Sequence, residues 1–251
     1  MNYDLKSIPS RTAKPRSAGF TMAMDKGLSL REVEDFIETS GDFVDIVKLG
    51  WATSYVTKKL KEKIGIYRSY GIPVYFGGTL FEAFVIRDQF EDYRRLLDEY
   101  QLTFAEVSDG SITLDHDQKC WYIDTLAKEV TVLSEVGSKD AAKIIPPYKW
   151  IDQMQKELNA GAWKVIGEAR EGGTVGLFRD SGEVRQGLVE EILTQVPEEK
   201  IIWEAPQKEQ QVWFIKLLGS NVNLGNISPN EFIPLETLRL GLRGDTFDFF
   251  L

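Results

Sequence analysis

Glu106, Glu135, Glu168 and Glu204 recur roughly every 30 residues, each near the end of a short β-type run: AEVSDG, SEVGSKD, VIGEAREGG and WEAP. Carboxylates brought together without compensation repel one another and are costly to take out of water. A hard divalent cation resolves that conflict, and Mg²⁺ suits oxygen ligands while keeping open positions. The plainer alternative is a set of rim glutamates paired with Lys and Arg. Cations are indeed interleaved: Lys48 in VKLGWATS, Lys139 in EVGSKD, and Lys164 and Arg170 in WKVIGEAREGG. These could bind an anionic substrate, shuttle a proton where neighbours lower a lysine's pKa, or serve only as counter-ions. Ser108, a candidate for binding substrate, ends the run that carries Glu106. Asn223, Gly225 and Asn226 lie in NVNLGNI, an Asn- and Gly-rich stretch that is either a backbone phosphate cradle or a plain turn.

Other chemistry-bearing residues offer less. The sole histidine, His116, sits between two aspartates in DGSITLDHDQK and reads as a solvated loop or helix-start residue. With no histidine to carry protons, an enzyme built on this chain would rely on Lys, Glu or Asp. The one cysteine, Cys120, rules out an internal disulfide and a thiolate metal cage, and reads as a half-buried helix residue. Arg243-Gly244-Asp245 and Asn226-Ile227-Ser228 spell an adhesion tripeptide and a glycosylation acceptor. Neither has a use in the cytoplasm, where the chain is expected to reside. Trp150, Trp163, Trp203 and Trp213 read as packing residues, and zinc, P-loop and serine-hydrolase signatures are absent.

The elements that must position these residues alternate along the chain. Eight β-type runs (AGFTMAM, FVDIVKLG, IPVYFGG, LTFAEVS, EVTVLSEVG, AWKVIGEA, KIIWEAP and SNVNLGNI) are separated by segments with apolar residues at three- and four-residue spacing. LREVEDFIETSG, FEAFVIRDQFEDYRRLLDEYQ and PYKWIDQMQKELNAG are the clearest helical segments. Gly41, Gly71, Gly161 and Gly219 mark helix ends. This alternation predicts a (β/α)₈ TIM barrel, one domain over residues 1–251 with 1–15 as an N-terminal extension. The rival is a doubly wound open sheet, but its glycine-rich phosphate turn is missing after the first run, where Asp25, Lys26 and Gly27 stand. In a barrel the strand ends meet at one rim, so the charged clusters would converge.

A formal charge of −9 argues against nucleic acid and against anionic membrane surfaces. The start, MNYDLKSIPSRTAKPRSAG, lacks the apolar run of a signal peptide, and no stretch is long enough to span a bilayer. Small-molecule substrates are the expected partners; a homo-oligomer stays open.

GGTLFE, EVSDG, EVGSKD, VIGEAREGG, EAPQKEQQVWFI, VNLGN and LRLGLRGDT resemble the phosphosulfolactate synthase family, over a span from about Lys14 to Thr246. The resemblance is nearest to its bacterial branch, and DGSITLDHDQKCWYI is idiosyncratic. It implies a Mg²⁺-dependent (β/α)₈ lyase that adds sulfite to phosphoenolpyruvate, giving (2R)-phospho-3-sulfolactate. Family products lead to coenzyme M in some archaea and to sulfolactate in some spore-forming bacteria. On that reading Lys139 is the proton donor, with Lys164 and Lys48 as runners-up. Glu135, Glu168 and Glu204 form the metal set, with Glu106 a fourth candidate. Arg170, Asn223, the amides near Gly225 and Asn226, and Arg243 hold phosphate. Two alternatives stay open: a different lyase passing through an enolate, and a barrel that has lost its chemistry.

Overall fold

A computed structural model of the chain describes residues 3–138, 145–170 and 172–251. Each of the eight expected β-type runs carries one strand, the first running one residue past its run: β1 (Thr21–Asp25), β2 (Ile46–Leu49), β3 (Val74–Phe76), β4 (Phe104–Val107), β5 (Thr131–Val136), β6 (Lys164–Gly167), β7 (Ile201–Glu204) and β8 (Leu224–Ile227). They form one parallel sheet in the order β3-β2-β1-β8-β7-β6-β5-β4, and β3 and β4 lie side by side where the ring meets. The fold is therefore the expected (β/α)₈ barrel.

Nine α-helices are described around it: α1 (Leu30–Ser40), α2 (Leu60–Ser69), α3 (Gly78–Val85), α4 (Phe90–Glu99), α5 (His116–Leu126), α6 (Pro147–Asn159), α7 (Gln186–Leu193), α8 (Lys208–Leu218) and α9 (Phe232–Arg239). The ninth arises because the long segment FEAFVIRDQFEDYRRLLDEYQ is two helices. Its apolar periodicity runs through the break, but Asp88 takes a left-handed φ of 54° and the Gln89 amide turns back to the Phe84 carbonyl. Aspartate tolerates that conformation better than most residues, so the break falls where periodicity is silent. Elsewhere local signals hold. Ser29 and Glu32 form a capping box at the start of α1, and Gly71, Gly161 and Gly219 follow helices with positive φ.

The strands are buried on both faces, and side chains alternate between them. Outward residues such as Ala23, Val47, Ala105 and Val165 pack beneath the helices. Inward residues Met22, Ile46, Tyr75, Leu133, Ile166 and Ile202 fill the barrel's middle layer. The lower end is tied down by the chain before β1. Arg11 pairs with Glu236 at 2.8 Å and donates to the Ser220 carbonyl, Arg16 pairs with Asp45 at 3.0 Å, and the Phe20 amide donates to Asn223 Oδ1. Among the described residues, no helix is long and apolar enough to cross a membrane.

Candidate active site

A two-residue step along each strand turns the inner layer into the site. Two residues past Ile46, Phe104, Leu133, Ile166 and Ile202 stand Lys48, Glu106, Glu135, Glu168 and Glu204, so each charged group rises above an apolar one on the same face. All five are buried, yet all border one cavity of about 520 Å³ at the C-terminal mouth. The convergence expected from the sequence is present.

Lys48 is the centre of this layer. Its Nζ lies 2.9 Å from Glu106 Oε1, 3.2 Å from Glu135 Oε2 and 3.3 Å from Glu204 Oε1. Burial disfavours the ammonium, but the three carboxylates outweigh it and hold its pKa well above the ordinary lysine value. Glu106 is further satisfied by the Gly78 amide at 2.6 Å and the Tyr75 hydroxyl at 2.9 Å. Glu204 Oε2 accepts from the Ala169 amide at 2.8 Å. Even so, burial pushes the Glu204 carboxyl up to about 7, and Glu135's charge adds to the rise while Lys48 opposes it.

Glu135, Glu168 and Glu204 each offer an oxygen within 4.8 Å of the others, an all-oxygen set able to take a metal ion. Glu106 is not in that group; it anchors Lys48. The four glutamates share one buried layer with Lys48. Such a gathering of oxygen donors fits a hard divalent cation.

The other expected site residues do not all meet at the mouth. Arg170 and Asn226 line the cavity, and Gly225 faces the barrel interior, where a Cβ would come 2.5 Å from Met22 Cε. Ser108 is a step removed, donating its hydroxyl to the buried Glu82 on α3. Lys139 lies outside the described residues. Lys164 and Asn223 are corrections: both sit at the opposite, lower end. Lys164 begins β6, four residues and about 13 Å of strand below Glu168. Its Nζ donates to the carbonyls of Ser17 and Glu199 and lies 4.6 Å over the Trp163 ring. Asn223 precedes β8 and donates to the Ile201 carbonyl. Arg243 is also absent from the cavity wall; it follows α9, beside Asp245, which pairs with Lys208.

Burial, aided by Lys200, draws the Lys164 pKa down to about 8. The unfolded chain then binds the extra proton between pH 8 and the ordinary lysine value of 10.5, so stability should climb through that window. Lys164→Met is expected to abolish the climb, read by urea titration across pH, while changing kcat by no more than about threefold, as befits a residue away from the reaction. A large kcat loss in a folded variant would restore it to the mechanism.

Sequence reasoning missed Lys26, Trp51, Ser111, Thr174 and Ser228, which also line the mouth. Lys26 follows β1 directly, so inspecting that strand end would have found it; the others depend on how loops fold. His116 opens α5, as a helix-start residue should, and contacts Glu157 on α6 at 3.1 Å, outside the mouth. The same Glu157 accepts from Lys119, whose Nζ also donates to the Glu135 carbonyl at 2.6 Å. A buried network thus props the end of β5 from behind.

Charged groups gathered at the C-terminal ends of eight parallel strands make this an enzyme of the (β/α)₈-barrel class. The family model described as (2R)-phospho-3-sulfolactate synthase (ComA) matches residues 9–245. The phosphosulfolactate synthase of Bacillus subtilis (strain 168) is 42% identical over 98% of this chain and 99% of its own length. That of Methanothermobacter thermautotrophicus is 41% identical over 95% of each. The chain belongs to the phosphosulfolactate synthase family. Near-equal identity to a bacterial and an archaeal member assigns the family without choosing the branch. Among solved structures, 3-hexulose-6-phosphate synthase from Salmonella typhimurium shares the fold, with a TM-score of 0.58 at 16% identity over 89% of this chain and all of that one.

Proposed function

We propose that this enzyme adds sulfite to phosphoenolpyruvate with Mg²⁺, giving (2R)-phospho-3-sulfolactate. The observation that carries the reading is the buried triad Glu135, Glu168 and Glu204 beside Lys48 in one mouth, within a chain of this family.

The sulfite sulfur forms a bond to the methylene carbon, C3. The double-bond pair moves onto C2 and into the carboxylate, and a proton then adds to C2, which keeps its phosphate. Nothing is oxidised or reduced outside the new C–S bond, and no group leaves. Glu135, Glu168 and Glu204 would hold the ion, which when bound supplies positive charge to the carboxylate as negative charge builds there. Lys48 keeps Glu106, Glu135 and Glu204 in place as a fixed positive charge. Its strongly held proton makes it a poor donor near neutral pH, where an effective acid has a pKa close to ambient. Arg170 and Asn226 face the same cavity and receive the phosphate, with the backbone at Gly225. The proton donor is assigned to Lys139, four residues after Glu135 in the sequence.

Phosphorus NMR of enzyme with phosphoenolpyruvate, sulfite and Mg²⁺ tests this. A sulfite-dependent product is expected, lost when Mg²⁺ is chelated; no product in the full mixture would end the proposal. Lys139→Ala should lower kcat by about 10²–10⁴, the usual worth of a general acid. Near-normal turnover would remove Lys139 from that role.

A further inference from the structure

A buried glutamine in EAPQKEQQVWFI has no part in the chemistry described so far. Gln210 lies on α8, 1% exposed and outside the wall of the mouth. Its carboxamide is fully used. Nε2 donates to the Gly173 carbonyl at 2.7 Å and to the Gly182 carbonyl at 3.2 Å, and Oε1 accepts from the Gln207 amide at 3.1 Å. Turned end for end, the group would set its oxygen against two carbonyls, so the partners fix its orientation. Gln207 adds a second hold, its Nε2 donating to the Gly172 carbonyl. Two side chains of α8 thus grip the loop after β6 near its start and near its end.

That grip decides which way the loop's peptides face. In a planar trans peptide the C=O and N–H point in opposite directions. With the Gly173 carbonyl drawn to Gln210, the Thr174 amide is turned away from α8, and Thr174 lines the mouth. Among the described residues, neither the Thr174 amide nor its hydroxyl donates a hydrogen bond within the protein. The Arg170 amide donates to the Thr174 carbonyl at 3.0 Å, so the two residues stand side by side at the rim. The turn is held at a backbone cost. Val175 takes a left-handed φ of 63°, an outlier for a β-branched residue, and such strain persists where surrounding structure enforces it. The enclosure is tight on both sides: a Cβ on Gly173 would strike Gln210 Nε2, and one on Gly176 would strike the Glu168 carbonyl.

We propose that Thr174 presents its amide and hydroxyl to the phosphate of phosphoenolpyruvate, beside Arg170, and that Gln210 is the positioning residue that aims them. Backbone amides exposed by a glycine turn are ready anion donors. A neutral carboxamide suits the task behind them: it satisfies three backbone groups without placing a charge close to the phosphate. This inference rests on the proposed reaction and adds donors for its phosphorylated substrate.

Calorimetric titration with phosphoenolpyruvate and Mg²⁺, without sulfite, is paired with steady-state kinetics. Thr174→Val keeps the side chain's shape and removes its hydroxyl. Kd and KM for phosphoenolpyruvate should each rise about tenfold, the worth of one hydrogen bond to a charged group, with KM for sulfite within about twofold of wild type. Gln210→Met releases the loop and should raise the same two quantities by at least about tenfold, again sparing KM for sulfite; thermal melting verifies folding. Should that variant not fold, Gln210→Glu replaces it, since its carboxylate keeps the size and the acceptor for the Gln207 amide but lacks both donors. Unchanged phosphoenolpyruvate affinity in Thr174→Val, or in a folded Gln210 variant, overturns the assignment. A rise confined to KM for sulfite, or shared equally with it, also overturns it. Because binding is read without sulfite, a wild-type enzyme that binds phosphoenolpyruvate but makes no product refutes the reaction, whereas normal binding by Thr174→Val refutes only the cradle.

Discussion

Lys48→Met is expected to lower stability by about 3–5 kcal/mol at neutral pH and to abolish turnover, the usual consequence of removing one partner of a buried ion cluster. The substitution preserves most of the side chain's bulk, so the effect is electrostatic. Glu106, Glu135 and Glu204 all point at the Lys48 ammonium within 3.3 Å, and none has bulk water as a substitute. Without it the Glu204 carboxyl, already raised by burial, rises further, the folded variant binds a proton that the unfolded chain releases, and stability is recovered as pH falls. Thermal melting should show a drop of about 10 °C or more at pH 7 for a chain of this size. The gap to wild type narrows at pH 5, and Mg²⁺ narrows it further by binding the folded form. A melting temperature within 2 °C of wild type at both pH values would show that Lys48 is not the keystone of the layer.

Glu204→Gln should act in the opposite sense on stability while destroying function. The carboxyl is already pushed up to about 7 by burial and by Glu135, so it sits near half-protonation at neutral pH. An amide removes that repulsion, and the metal-free variant should be as stable as wild type or about 1 kcal/mol more so. Mg²⁺ affinity should fall at least a hundredfold, because even the hydrogen-bond partners of metal ligands are worth about 10–100-fold. Turnover falls with it. Calorimetric titration with Mg²⁺ and melting with and without the ion give both readouts. Wild-type Mg²⁺ affinity in the variant would remove Glu204 from the metal set. Together the two variants separate a charge that holds the layer together from one the layer tolerates only for its chemistry.

The barrel was legible because its signal repeats. Eight apolar runs alternate with helical segments, and the same two-residue step that buries Leu133, Ile166 and Ile202 carries Glu135, Glu168 and Glu204 to the mouth. Lys164 was misread for the same reason: it shares an inward face with Glu168, and periodicity fixes the face of a strand without fixing the height along it. Asn223 and Gly225 differ likewise, one at the floor and one higher in β8. Loop geometry was beyond reach. No spacing announces that Trp51 turns left-handed beside Lys26, or that Asp88 splits one helix into two. Nor does charge alone distinguish Glu106, saturated by Lys48, Gly78 and Tyr75, from the three carboxylates beside it.

The clasp at the barrel's floor bears on how the molecule is made. β1 pairs with β8, the Gly19 amide reaches the Asn221 carbonyl, and Arg11 closes on Glu236, partners separated by some 200 positions. A nascent chain leaving the ribosome exposes β1 with one flank unpaired until nearly all its successors have emerged. Closure is therefore a late, long-range event, and for most of its synthesis this protein is an open sheet with an edge to guard.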